Sequence, residues 1–184
     1  MQPANDSQQE FESLALPLLD ALYNFARWLS HDQSEAEDLV QETFAKALRG
    51  FSSFAPGTDF RAWMFRILRN TFLTSRTGLQ AKLTVPLDPD EEAAAGVTWE
   101  TPESLAVASA TREALQQALS ELPLAYREVV LLCDVEEMKY AEIAEVLSVP
   151  IGTVMSRLAR GRKLLRQMLA SQRPAIIRKV DGRR

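Results

Sequence analysis

The chain has one cysteine and one histidine among its 184 residues. Cys133 cannot close an internal disulfide, and with His31 it falls short of the ligand set a zinc site needs. Cys133 also follows the apolar run Val129-Val130-Leu131-Leu132, which predicts a buried structural thiol. Glycine is scarce, at 7 residues, and none of the glycines builds a phosphate-cradling loop. No apolar run approaches the ~20 residues that span a bilayer, and the opening MQPANDSQQE is polar, without the core of a signal peptide. No stretch alternates as a strand should, and no long repeat is present. No nucleophile, base and metal ligands cluster along the sequence. The expectation is a cytoplasmic, all-α protein with no cofactor, no metal, no membrane span, no small-molecule substrate and no enzymatic activity.

What is present is concentrated near the C-terminus, from Tyr140 to Lys163. Tyr140, Ile143, Ala144 and Leu147 fall at i, i+3, i+4 and i+7, an apolar helical stripe. Ser148-Val149-Pro150 interrupts it, because proline lacks a backbone donor and disfavours helix at the residue before it. A second helix is predicted from Ile151 or Gly152. It buries Val154, Leu158, Gly161 and Leu165 and carries Thr153, Ser156, Arg157 and Arg160 on another face. This is the pattern of a helix-turn-helix, whose second helix can enter a major groove. The charge distribution agrees. From Ile151 to Arg184 there are 10 Lys+Arg against one acid, whereas the whole chain has a net charge of -4. An acidic chain with one strongly basic end is suited to placing that end on a polyanion.

Upstream, residues 1–12 are polar and predicted to fray. A helix then runs to about Ser30 on the stripe Leu18, Leu22, Phe25 and Leu29. Ser34 to Glu37 reads as a capping box for a helix ending at Gly50, burying Leu39, Val40, Phe44, Ala47 and Leu48. Phe51 to Gly57 is a turn-rich loop with aromatics that look exposed. Thr58 is predicted to cap a helix to about Ser75, with Phe60, Trp63, Met64, Ile67, Leu68 and Thr71 inward and Arg61, Arg66, Arg69 and Arg76 outside. Arginines beside aromatics are raw material for binding single strands. Residues 77–102, rich in proline and acids, read as a flexible linker. Helices are expected over 103–119 and from Leu124 to Cys133, and the tail after Pro174 is expected to be disordered.

Four segments, DLVQETFAKAL (Asp38 to Leu48), FRAWMFRILRNT (Phe60 to Thr71), LPLAYREVVLL (Leu122 to Leu132) and YAEIAEVLSVPIGTVMSRLARGRKLLR (Tyr140 to Arg166), resemble in order and spacing the signatures of bacterial sigma-70-family factors. More narrowly, they are similar to the extracytoplasmic-function (ECF, group IV) subgroup, which keeps two domains, sigma-2 and sigma-4. The resemblance covers roughly residues 14 to 170. GTDFRAW and PIGTVMSRL look most like the branch that answers thiol-oxidative stress.

The resemblance implies two small helical domains, a sigma-2-like bundle at 14–76 and a sigma-4-like four-helix unit at 103–172, joined by the linker at 77–102. It implies an RNA polymerase sigma factor that binds core polymerase through its beta-prime and beta subunits and starts transcription at specific promoters in a stress response. An anti-sigma factor is the expected further partner. Asp38, Gln41, Glu42, Lys46 and Arg49 would dock on polymerase. Arg66, Arg69, Asn70, Thr71 and Arg76 would take the single strand of the minus-ten element, with Asn70 at the position that reads an extruded base. Thr153, Ser156, Arg157, Arg160, Arg162 and Lys163 would hold the minus-thirty-five duplex. Met155 departs from the family pattern, standing where many members carry a basic residue. The alternative is a conventional helix-turn-helix transcriptional regulator that binds its operator without polymerase.

Overall fold

Polar residues at the start of the chain form a helix after all. Helix α1 (Pro3–Ala15) is anchored by Phe11 and Ala15, both buried, so two well-placed apolar side chains order a segment expected to fray. The structure is a computed structural model that describes residues 3–55, 57–80 and 114–181, with side chains described over 7–55, 57–76 and 114–170. All regular structure among these residues is helical. The linker expected over 77–102 lies outside them from residue 81 on, as does the predicted helix before residue 114.

A single turn of 3-10 helix, Leu16–Leu18, absorbs Pro17 and leads into α2 (Leu19–Ser30). Leu22, Phe25 and Leu29 are buried as their spacing requires, at about 1.5–3 kcal/mol of burial each. His31 closes α2 in the left-handed region. Helix α3 (Gln33–Gly50) is capped by Asp32, whose Oδ1 accepts from the Glu35 N–H at 2.8 Å. The predicted Ser34 cap is not used, because Ser34 already lies inside the helix, whereas Asp32 is extended. The buried stripe of α3 is Ala36, Leu39, Val40, Thr43 and Ala47. Leu48, one residue past it, turns outward and is 44% exposed, contrary to expectation.

A 3-10 turn, Phe51–Ser53, precedes α4 (Phe60–Gln80). Here too the cap is an aspartate: Asp59 Oδ1 accepts from the Ala62 N–H, while the Thr58 hydroxyl donates back to the Ala55 carbonyl. Met64, Phe65, Leu68, Thr71 and Phe72 form the buried side of α4. That side is rotated from the predicted stripe by the pull of Phe65 and Phe72, which leaves Trp63 half-buried at its edge. The helix also continues to Gln80, one turn beyond the expected end.

Further on, a helix α5 covers 114–121 and α6 spans Leu124–Val130. Buried Arg127 donates to the carbonyls of Ser120 and Leu122, satisfying the end of α5. From Leu131 to Val135 the backbone widens into a π-turn. That change of register rotates Cys133 to a half-buried position, away from the buried one its apolar neighbours predicted. Helix α7 (Tyr140–Leu147) buries Ile143, Val146 and Leu147. Ser148 then takes the left-handed conformation, and the Val149 N–H bonds back to the Ala144 carbonyl. Pro150 opens α8 (Ile151–Asp181), accepting from the Thr153 and Val154 N–H groups. Helix α8 runs on through Pro174, where the sequence predicts a disordered tail.

Among the described residues, one compact unit contains 3–80 and 131–154, and the other contains 114–130 and 155–181. In the first unit, α2, α3 and α4 pack on one another and α7 packs on α4. In the second, α8 approaches α6 closely at Gly161. A Cβ there would sit 2.9 Å from Val130 Cγ2, 3.3 Å from Tyr126 Cβ and 3.4 Å from the Tyr126 carbonyl oxygen. Gly161→Ala should therefore destabilise the protein by about 1–3 kcal/mol, with overpacking outweighing the ~1 kcal/mol gain in helix propensity. Gly152→Ala, whose Cβ meets nothing within 4 Å, should not destabilise. Denaturant titration of the two variants measures both.

Candidate nucleic-acid interface

On α3, Asp38, Gln41, Glu42 and Arg49 are exposed on the outer side of the helix, and Leu48 stands among them. A solvent-facing leucine ringed by polar groups is the pattern of an interface anchor with a polar rim. Lys46 is half-buried at the margin. Its Nζ lies 2.9 Å from Glu42 Oε1 and donates to Thr71 Oγ1 at 3.2 Å, so it ties this face to α4.

The residues expected to meet a single strand are divided by the structure. Arg66 and Asn70 are exposed one turn apart on α4. Thr71 is buried and turned toward α3, accepting the Lys46 bond. Arg69 is half-buried. Arg76 lies over the Phe72 ring and 3.6 Å from Glu35. Sequence reasoning missed a pocket of about 140 Å³ beside Arg66, lined in part by Ser53, Phe54, Thr58, Asp59, Trp63 and Glu145. Trp63, Arg66 and Asn70 succeed one another at i, i+3 and i+7, so one stripe of α4 leads from the pocket to Asn70. The pocket combines aromatic faces with hydroxyl, carboxylate and guanidinium groups, which is what an unstacked base needs for stacking and hydrogen bonding. The turn-rich aromatic run at 51–57 was the available signal.

Another feature was not foreseen. Arg61 Nη2 lies 2.6 Å from Glu136 Oε2, its Nη1 donates to the Glu136 carbonyl at 2.7 Å, and the guanidinium sits over the Phe65 ring. Glu136 is only 8% exposed. Burial raises its carboxyl above the ordinary value of 4.5, and the hydrogen bond and charge of Arg61 offset this only in part.

On α8, Val154, Leu158, Gly161 and Leu165 are all buried, as their spacing predicts. Thr153, Arg157 and Arg160 are half-buried along one side, and Ser156, Arg162 and Lys163 are exposed. From Ile151 to Ala170 the helix carries Arg157, Arg160, Arg162, Lys163 and Arg166 and no acid. Such a face suits phosphates and guanine edges.

Comparison with known proteins shows the family. The family description "Sigma-70 region 2" matches residues 14–81, and "Sigma-70, region 4" matches residues 112–165. The chain is 31% identical over 170 residues to the ECF RNA polymerase sigma factor SigW of Bacillus subtilis, covering 88% of this chain and 90% of that one. The chain belongs to the ECF sigma factors of the sigma-70 family. It is also 41% identical over 153 residues to the ECF sigma factor SigE of Mycolicibacterium smegmatis, covering 82% of this chain but 58% of the relative. Among solved structures it is similar to the sigma factor RpoE in its complex with the anti-sigma factor NepR from Bartonella quintana. That likeness has a TM-score of 0.67, 28% identity and coverage of 88% and 98% of the two chains. No described helix of this ECF sigma factor is long and apolar enough to cross a membrane.

Burial of the Glu136 carboxyl, only partly offset by Arg61, makes the protein's stability depend on pH. A carboxyl whose folded pKa is raised contributes stability below its unfolded pKa and loses it as pH rises through the folded value. The stability of the wild type relative to Glu136→Gln should therefore fall as pH rises above 4.5 and level off beyond the raised pKa. Denaturation of both proteins from about pH 4 to pH 8 measures the difference, and a rising or flat profile would contradict the assignment.

Proposed function

We propose that this chain binds core RNA polymerase and directs it to specific promoters as an ECF sigma factor, lending specificity to an enzyme that does the chemistry. The observation that carries the reading is the presence of two unlike nucleic-acid surfaces on one chain. The α4 stripe, with its aromatic pocket, suits an unstacked base. The basic side of α8 suits duplex. A conventional helix-turn-helix regulator needs only the second. In this reading residues 14–76 engage polymerase and the minus-ten element, and residues 103–172 hold the minus-thirty-five element. Arg66 and Asn70 lie along the path of the single strand, with Arg69 and Arg76 beside it, and Thr71 acts through Lys46 on the packing of α4 rather than on DNA. Thr153, Ser156, Arg157, Arg160, Arg162 and Lys163 hold the duplex. Unstacking the base costs a few kcal/mol, which the pocket offsets. An anti-sigma factor is the proposed regulator, by analogy with the relative solved in such a complex, and a stress signal the proposed trigger.

The direct test is transcription in vitro with purified core polymerase over a library of genomic promoters. Promoter-specific transcripts that require this chain support the reading, and operator binding that needs no polymerase contradicts it. Within that assay, Asp38→Lys with Glu42→Lys should weaken core binding ~10-fold, about 1.4 kcal/mol, with the helical circular dichroism unchanged. Asn70→Ala should leave binding of the upstream duplex as it is. On a promoter with a pre-melted bubble, it should lose discrimination among bases at the read position by ~5-fold or more, the size of a lost hydrogen-bonded contact. Base discrimination equal to wild type would make Asn70 a structural residue.

A further inference from the structure

The two sides of the leading turns of α8 differ in chemistry. On one side lie Thr153, Arg157 and Arg160. On the other, Ile151 and Met155 stand at i and i+4, and they are 48% and 53% exposed. Between them Gly152 opens onto free space, since a Cβ there would meet nothing within 4 Å, and Ser156 is exposed. The buried stripe of the helix is already complete without Ile151 and Met155. Two large apolar side chains therefore face solvent on the part of a recognition helix that enters the groove first.

The occupant of this apolar side must also accept the basic side of the same helix. Five Lys+Arg residues from Arg157 to Arg166, with no acid among them, select a polyanion. Duplex DNA is the polyanion that offers an apolar group in its major groove, the C5-methyl of thymine. A long, unbranched thioether adapts its shape to such a contact. A basic residue at 155 would reach a phosphate and carry no sequence information. Met155 cannot do this and can only read shape and methyl groups.

We infer that Met155, supported by Ile151, is a specificity-determining residue that reads a thymine methyl group in the upstream promoter element. The inference rests on α8 being the duplex-reading helix. Arg157 and Arg160 hold the groove from one side. Met155 closes on the methyl from the other, and Gly152 and Ser156 let the backbone come near the base edges.

The experiment uses the full chain assembled with core polymerase on a promoter it transcribes. Each thymine of the upstream element is replaced singly by uracil, which lacks only the methyl and keeps every hydrogen-bonding group. One or two positions should lose ~3- to 5-fold in affinity, the size expected for one buried methyl group. In Met155→Ala the same positions should become indifferent to the replacement. Arg157→Ala with Arg160→Ala should weaken thymine and uracil duplexes alike and reduce the salt dependence. Uracil sensitivity that persists unchanged in Met155→Ala, or no sensitive thymine at all, overturns the inference while leaving α8 as the duplex reader. If the double arginine variant also binds as wild type, the reading of α8 fails and the inference with it. Weaker binding of Met155→Ala to core polymerase without DNA would make this apolar side a protein contact and likewise overturn the inference.

Discussion

Aromatic rings meeting edge to face or tilted tie together one end of the first compact unit. Phe11 contacts Phe51 at 5.4 Å and Phe60 at 6.2 Å, and Phe54 contacts Phe60 at 5.3 Å and Trp63 at 5.2 Å. Each such pair contributes about 0.5–1.5 kcal/mol beyond its buried area. The cluster joins α1, the 51–54 turn and the first turn of α4. It therefore decides where Phe54 and Trp63 stand, and with them two walls of the pocket. Asp59 and Thr58 complete the arrangement through backbone bonds that fix the loop as it enters the helix.

Much of this was legible in the sequence wherever one periodicity ruled. Leu22, Phe25 and Leu29 of α2 and Val154, Leu158, Gly161 and Leu165 of α8 turned inward as spaced. In α4 the apolar residues surround more of the helix, and periodicity alone could not choose between Trp63 and Phe65 for the deepest position. Caps failed for a related reason. Ser34 and Thr58 lie within two residues of Asp32 and Asp59, and the choice between neighbouring capping residues depends on backbone angles the sequence does not display. The aromatic run at 51–57 hinted at the pocket, but its closure could not be read, since it draws Glu145 from a helix more than 80 residues away from Trp63.

The candidate site shows the same division. Polar residues on exposed helix faces, such as Asp38, Glu42 and Arg66, were placed correctly on the surface by spacing. Spacing placed Thr71 inward, where the structure has it accepting a bond from Lys46, although the resemblance implied a contact with the single strand. Arg61 and Glu136 likewise look like solvated charges in a linear reading. Only packing buries Glu136 against a half-exposed Arg61, so that desolvation of the carboxylate competes with attraction.

The first compact unit is built from two separated stretches, 3–80 and 131–154. On a ribosome this imposes a delay. The segment bearing Glu136 and α7 follows the end of α4 by about 50–75 residues, roughly 3–15 s of synthesis at ~5–20 residues per second. Throughout that interval α4 has emerged with Arg61 uncovered and the side that receives α7 open to water. The nascent chain thus passes through a state in which a chaperone, a polymerase subunit or nucleic acid can reach α4 before its own later helix does.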